Sequence, residues 1–211
     1  MTSHNSNQLD YRYNFDSELI LLVMVTVDDI EFRSVSLDTS LRSREVIDQE
    51  IADVEAMTNH HLSEPYSIFV YRFFINNWPE LTLLAHHKDK LVGNIICKVE
   101  PHRNARVRGY IGMLSVDDEY RGLGIAKTLI EKAINLMIEK YGCDEISLET
   151  EVMNSKALRL YENFGFIRIK RLFRYYMNRH DAYRLVLPIT ENSTICSSQL
   201  PQLENPKEAV Y

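Results

Sequence analysis

Residues 120–129, YRGLGIAKTL, hold two glycines one residue apart, Gly122 and Gly124, followed by the small Ala126 and an apolar helical pattern. Glycines directly before a helix let backbone N–H groups close on an anion, which is the chemistry of a phosphate cradle. Two common cradles do not fit. A dinucleotide fingerprint needs Gly or Ala three residues after its second glycine, where Lys127 stands. An ATP-binding P-loop needs Gly before Lys-Ser/Thr, and here Ala126 precedes Lys127 and Thr128. Further on, ISLETEV alternates, so Ser147, Glu149 and Glu151 share one strand face and Ile146, Leu148, Thr150 and Val152 the other. Carboxylates on one face inside an apolar block are candidates for base work. As a bare pattern they read first as a solvated sheet face.

These residues need a scaffold, and the periodicities supply one. Residues 30–37 alternate and predict a strand. Residues 43–62 carry a helical stripe of Val46, Ile47, Ile51, Val54, Ala56 and Met57, and residues 67–77 predict a second helix after the break at Pro65. Strands follow at 81–87, 91–100 and 105–116, then the glycine turn and a helix stopped by Gly142. Residues 143–152 form a strand, Asn154 caps a helix closed by Gly165, and 166–177 with 182–189 make a final hairpin. The order β-α-α-β-β-β-α-β-α-β-β predicts an α/β fold with a mixed central sheet flanked by helices. Residues 1–29 read as an extension, partly disordered, 30–190 as one domain, and 191–211 as a flexible tail.

Composition narrows the function. The chain has 211 residues and a formal net charge of −6, which argues against a general nucleic-acid binder and hence against DNA as a partner. Two basic clusters, Arg103, Arg106 and Arg108, and Arg168, Lys170, Arg171 and Arg174, read as solvated strand faces or as attraction to phosphates. Cys97, Cys143 and Cys196 show no paired spacing, and the adjacent His60-His61 and His86-His87 would point to opposite faces of a strand, so no metal is expected. The apolar run 19–27 is too short to span a bilayer, and Asp16 and Glu18 stand where a signal peptide carries positive charge. A cytoplasmic chain without a membrane partner is the expectation; the run itself reads as an extra strand or a docking surface.

Two blocks then match one family in order. RGLGIA resembles the R/Q-x-x-G-x-G/A signature of the GCN5-related N-acetyltransferases (GNAT) through Arg121, Gly124 and Ala126, and NSKALRLYENFGF resembles that family's second block through Asn154, Ala157, Leu160, Tyr161, Gly165 and Phe166. Residues 62–85, 98–134, 143–178 and 181–190 narrow the likeness to the catalytic subunits of NatC-type protein N-terminal acetyltransferases. The resemblance implies a GNAT fold and acetyl-CoA as co-substrate. Its pyrophosphate would lie against Arg121, Gly122, Gly124, Ile125 and Ala126, its pantetheine arm along Leu114 and Val116, and Asn154 and Tyr161 beside it. The same resemblance implies Glu149 as the base for an α-amine, with Glu151 in reserve, and Tyr161 as partner of the leaving thiolate.

Leu62, Glu64, Pro65 and Tyr66 of LSEPY, with Tyr110, Tyr175 and Tyr176, would then form the substrate site, since aromatic and acidic groups suit an ammonium followed by apolar side chains. The implied substrates are nascent peptide N-termini with Met before a hydrophobic residue. The implied partners are a large auxiliary subunit, a small Sm-like subunit and, indirectly, the ribosome. The alternatives are acetylation of lysine or of a small amine, and an acetyl-CoA-binding interaction subunit without turnover.

Overall fold

The computed structural model describes residues 25–62, 64–102 and 106–193. Within them, seven strands form one sheet in the order β1-β2-β3-β4-β5-β7-β6. The strands are β1 (Ile30–Ser34), β2 (Thr82–His87), β3 (Lys90–His102), β4 (Arg106–Val116), β5 (Glu145–Glu151), β6 (Ile167–Leu172) and β7 (Ala182–Pro188). The helices are α1 (Arg44–His61), α2 (Ile68–Asn77), α3 (Ile125–Glu139) and α4 (Ser155–Asn163). Element order and mixed sheet follow the sequence pattern. All pairings are antiparallel except β4 with β5, which run parallel.

Strand alternation divides the core into two layers. Ile95 and Cys97 of β3 pack with Leu129, Ile130, Ala133 and Met137 of α3 and with Leu158 and Tyr161 of α4. Ile96 and Met113 face the other way, against Ile47, Ile51 and Val54 of α1 and Tyr71, Phe74 and Ile75 of α2. Burying each large aliphatic side chain contributes about 1.5–3 kcal/mol. A buried polar chain also locates α1, because Thr58 donates to Asn94 Oδ1 at 3.1 Å and Asn94 Nδ2 donates to Ser115 Oγ at 3.0 Å.

The predicted stripe of α1 needs correction. Ile47, Ile51 and Val54 are buried, whereas Val46 and Ala56 are exposed, and Glu50 and Thr58 take the inward positions. Glu50 can be buried because Arg33 and Arg42 both pair with it. The last hairpin also differs, since β6 stops at Leu172 and residues 173–181 form a loop. Within the basic clusters, Arg108 pairs with Glu145, Arg168 with Glu162 and Arg171 with Asp181, so these charges stabilise the strand region and helix end they join.

Residues 1–24, most of the run 19–27, Arg103, Cys196 and residues 194–211 lie outside the described residues; Val25 packs against the core. Among the described residues no helix is long and apolar enough to cross a membrane, and no group of three or more His, Cys, Asp or Glu could hold a metal ion.

Candidate active site

The site begins where the sheet comes apart. β4 and β5 are paired only at Arg108 with Glu145, Gly109 with Ile146, and Tyr110 with Ser147. Past that seam the strands diverge, and a cavity of about 500 Å³ opens, lined by residues 110–116 of β4 and residues 148–151 of β5. Gly112 is the extra residue of a bulge in β4, opposite the step from Ile96 to Cys97 of β3. A bulge bends its strand, and this one lies beside the opening. A Cβ on Gly112 would come within 3.2 Å of the Phe74 ring, so glycine also lets α2 pack onto the bend.

At one end of the cavity stands the glycine turn. Gly122 and Gly124 have φ of +85° and +87°, conformations that favour glycine. A Cβ at either would meet nothing within 4 Å, so both face open space. Gly124 is the N-cap of α3 and has no side chain to cap it; the first helical bond runs from the Thr128 N–H to the Gly124 carbonyl. The N–H groups of Ile125, Ala126 and Lys127 therefore precede the hydrogen-bonded ladder and carry the positive end of the helix dipole. The donor set and the open cradle fit a pyrophosphate. Arg121, Gly122, Ala126, Leu114, Val116 and Asn154 line this cavity. The Ile125 side chain is buried in the core, which leaves only its backbone for a ligand. Asn154 Oδ1 accepts from the Ala157 N–H at 3.1 Å and so caps α4.

The opening passes through the sheet, so it joins groups from opposite faces. Leu148 packs in the layer with α3 and α4, so its neighbours Ser147 and Glu149 point to the side of α1 and α2. Tyr161 comes from α4 on the other side, yet it lines the same cavity as Glu149. Burial, with smaller contributions from Cys97 and Tyr176, raises the Tyr161 pKa above the usual phenol range, so it is a protonated donor at neutral pH.

Glu149 is held at both oxygens. Arg184 Nε donates to Oε1 at 2.6 Å and the Tyr110 hydroxyl donates to Oε2 at 2.9 Å. Arg184 is its direct partner across the β5–β7 ladder. Burial and then the Glu149 charge push the Tyr110 hydroxyl up, so it too stays protonated. Glu151, two residues on, contacts His180 Nδ1 at 3.1 Å and Asn178 Nδ2 at 3.3 Å.

The mouth is built from two loops. Leu62, Glu64 and Tyr66 line the cavity from one side and Tyr175 and Tyr176 from the other, whereas Pro65 is exposed and does not line it. Glu64 Oε1 accepts from the Met177 N–H, which ties the loops together. Burial leads in raising the pKa of Tyr66, Tyr175 and Tyr176, with nearby carboxylates adding to it. Neutral phenols around Glu64, Glu149 and Glu151 make a mouth that favours a cation.

Arg184 and Asn59 escape a sequence reading. The Asn59 side chain accepts from the Tyr66 N–H at 2.9 Å, donates to the Tyr66 carbonyl at 3.0 Å, and accepts from the Tyr71 hydroxyl at 2.7 Å. It sets the shape of the first loop from seven residues away. An isolated Asn in a helix or an Arg on an alternating strand carries no local signal of such a partner.

Residues 49–166 match the model of the acetyltransferase (GNAT) family. N-alpha-acetyltransferase 30 of Saccharomyces cerevisiae is 54% identical over 158 residues, covering 72% of this chain and 89% of the relative. The human protein of that name is 52% identical over 138 residues, which cover 65% of this chain but 38% of that longer relative. A crystal structure of the NatC complex bound to Gag peptide and CoA contains a chain that superposes with a TM-score of 0.69 at 51% identity, covering 76% of this chain and 99% of that one. Arabidopsis thaliana NAA60 in complex with acetyl-CoA shares the fold, with a TM-score of 0.63 at 21% identity, over 76% of this chain and 99% of the other.

Proposed function

The chain belongs to the GNAT acetyltransferase family, and we propose that it is the catalytic subunit of a NatC-type N-terminal acetyltransferase that modifies Met followed by a hydrophobic residue. It is an acetyl-CoA-dependent peptide α-N-acetyltransferase. The observation that carries the finer reading is the passage through the sheet with Glu149 on one face and Tyr161 on the other, behind an aromatic and acidic mouth.

Acetyl-CoA supplies an acetyl group activated as a thioester. The chain's residues then have separable roles. The amides at the start of α3 would hold the pyrophosphate, and the edge of β4 at Leu114 and Val116, which β5 leaves unpaired, would pair with the amide-bearing arm. Glu64 and the tyrosines of the mouth attract the substrate ammonium, and Leu62 offers an apolar wall to the first side chain. The amine must lose a proton before it attacks. With an α-amine pKa of about 7.7–8.0, that costs about 1 kcal/mol at neutral pH, so a weak base suffices. Glu149 takes this proton, directly or through an intervening water. Tyr161 donates a hydrogen bond to the sulfur as its charge develops.

Similarity to the catalytic chain of the NatC complex supports auxiliary subunits as partners, and we assign the large and the Sm-like subunit on that basis, with nascent chains at the ribosome as substrates and the cytoplasm as the site of action. Residues 30–190 form the acetyltransferase domain in this reading. Mass spectrometry of Met-Leu, Met-Glu and Ser-Glu peptides incubated with acetyl-CoA, with and without co-purified partners, tests it. Selective acetylation of Met-Leu is expected. Equal modification of peptides whose α-amine is blocked, at an internal lysine, would refute it.

A further inference from the structure

His61, the last residue of α1, is drawn into the cavity wall that also holds the glycine turn. Its side chain is only 11% exposed, and it lines the same cavity as Arg121, Gly122 and Ala126. Two basic groups there face one acid. Arg121 Nη1 lies 2.6 Å from Asp118 Oδ1, and His61 Nδ1 lies 3.8 Å from the same oxygen. The first is an ion pair at full contact; the second is too long for a hydrogen bond.

A phosphate changes this balance. The Arg121 and Asp118 side chains are 58% and 67% exposed, so their pair is weak and open to exchange. Arg121 Nε donates to the Val116 carbonyl at 3.3 Å, which keeps the guanidinium at the edge of the cavity. A phosphate offers that guanidinium a bidentate contact. Once Arg121 turns to it, Asp118 loses its cation, and His61 stands in reach to replace it. We propose that His61 belongs to the cofactor site: it takes over Asp118 as Arg121 turns to the pyrophosphate, and it gains a proton in doing so. The inference rests on the pyrophosphate lying against the Gly122–Gly124 turn.

The charges around His61 set the direction. Burial leads in lowering its pKa; Asp118 and Asp117 oppose that, while His60 and Arg121 add to it. The imidazole is therefore neutral at pH 7. Binding would take the Arg121 charge off Asp118 and bring phosphate charge near, and both favour the imidazolium. The C-terminal end of α1 favours it as well. Asp117 is already engaged by Lys90 at 2.9 Å. A protonated His60, with its ring centroid 4.9 Å from that of His61, would oppose the change.

Calorimetry of the full chain with 3′-dephospho-CoA tests this without requiring turnover. That probe keeps the pyrophosphate but lacks the monophosphate, which itself titrates near neutral pH. Titrations at pH 7 in two buffers of unlike ionisation enthalpy, PIPES and imidazole, count the protons bound. Wild type is expected to take up about half a proton or more, and its affinity to fall about five- to tenfold from pH 6 to pH 8. His61→Asn and His61→Gln should each take up close to none and show a flat pH profile. Asp118→Asn should do the same, because it removes the acid that His61 takes over. No uptake in wild type, or undiminished uptake in both His61 variants, overturns the proposal. Gly124→Glu separates the two ways of failing. If it binds the probe as well as wild type does, the cradle is misplaced and the underlying reading falls with the proposal. If it binds weakly, the cradle stands and the failure belongs to His61 alone.

Discussion

Glu149→Gln separates a base from a mere anchor, and its geometry permits a sharp expectation. The glutamine oxygen can still accept from Arg184 Nε, now at 2.6 Å from Oε1. Its NH₂ then faces the Tyr110 oxygen, which at present donates to Oε2 at 2.9 Å and can turn to accept instead. Arg184 loses its ionic partner, but its side chain is 38% exposed and water can solvate it. The structural penalty is therefore only about 1 kcal/mol, and the cradle at Gly122 and Gly124 is untouched.

The catalytic penalty is larger. Loss of a positioned base costs about a hundredfold or more in kcat/KM at pH 7. At that pH roughly a tenth to a sixth of an α-amine is already neutral, and at pH 9 roughly nine-tenths is. The variant should recover about six- to tenfold between pH 7 and pH 9 relative to wild type, provided initial rates are read at subsaturating peptide. Glu151→Gln is the control, because Glu151 contacts His180 and Asn178, whereas Glu149 is held by Tyr110 and Arg184. A variant-to-wild-type ratio that stays constant across the pH range would refute proton transfer to Glu149 and leave it as a binding group. Rescue in Glu151→Gln alone would move the base by one strand repeat.

Tyr161→Phe should lower kcat about ten- to a thousandfold with little change in KM, read in steady-state kinetics, because its hydroxyl matters as charge develops on sulfur; an unchanged kcat would make Tyr161 a core aromatic only. Asn59→Ala removes the two hydrogen bonds that hold Tyr66 of the first mouth loop and a third from Tyr71 of α2, so the peptide KM should rise while acetyl-CoA affinity, read by calorimetry, stays within about twofold. Loss of both together would mean global destabilisation. Burial alone would raise the Glu80 carboxyl, but hydrogen bonds from Lys140 and Tyr141 outweigh it and hold the pKa at about 2. Its folded-state pKa is below the unfolded one, so the stability it contributes is present above the ordinary carboxylate range and is lost as pH falls toward about 2. Thermal melts between pH 5 and about 2 should therefore show a steeper loss in wild type than in Glu80→Gln.

Local sequence determined the order of elements, because strand and helix periods are properties of neighbouring residues. It also determined the glycine turn, where Gly122 and Gly124 adopt positive φ ahead of an uncapped helix. The shared face of Ser147, Glu149 and Glu151 follows from strand alternation alone, and the two family blocks by themselves point to acetyltransferase chemistry. Tertiary structure decided everything that depends on a partner far along the chain. The parting of β4 from β5 depends on three residue pairs and a bulge, and no period in either strand reports it. The engagement of Glu149 by Arg184 crosses 35 residues and exists only because β5 and β7 pair in that register. Val46 and Ala56 fit a hydrophobic stripe yet face solvent, while Glu50 is buried between two arginines. Apolarity predicts burial only until a paired charge outcompetes it for the same position.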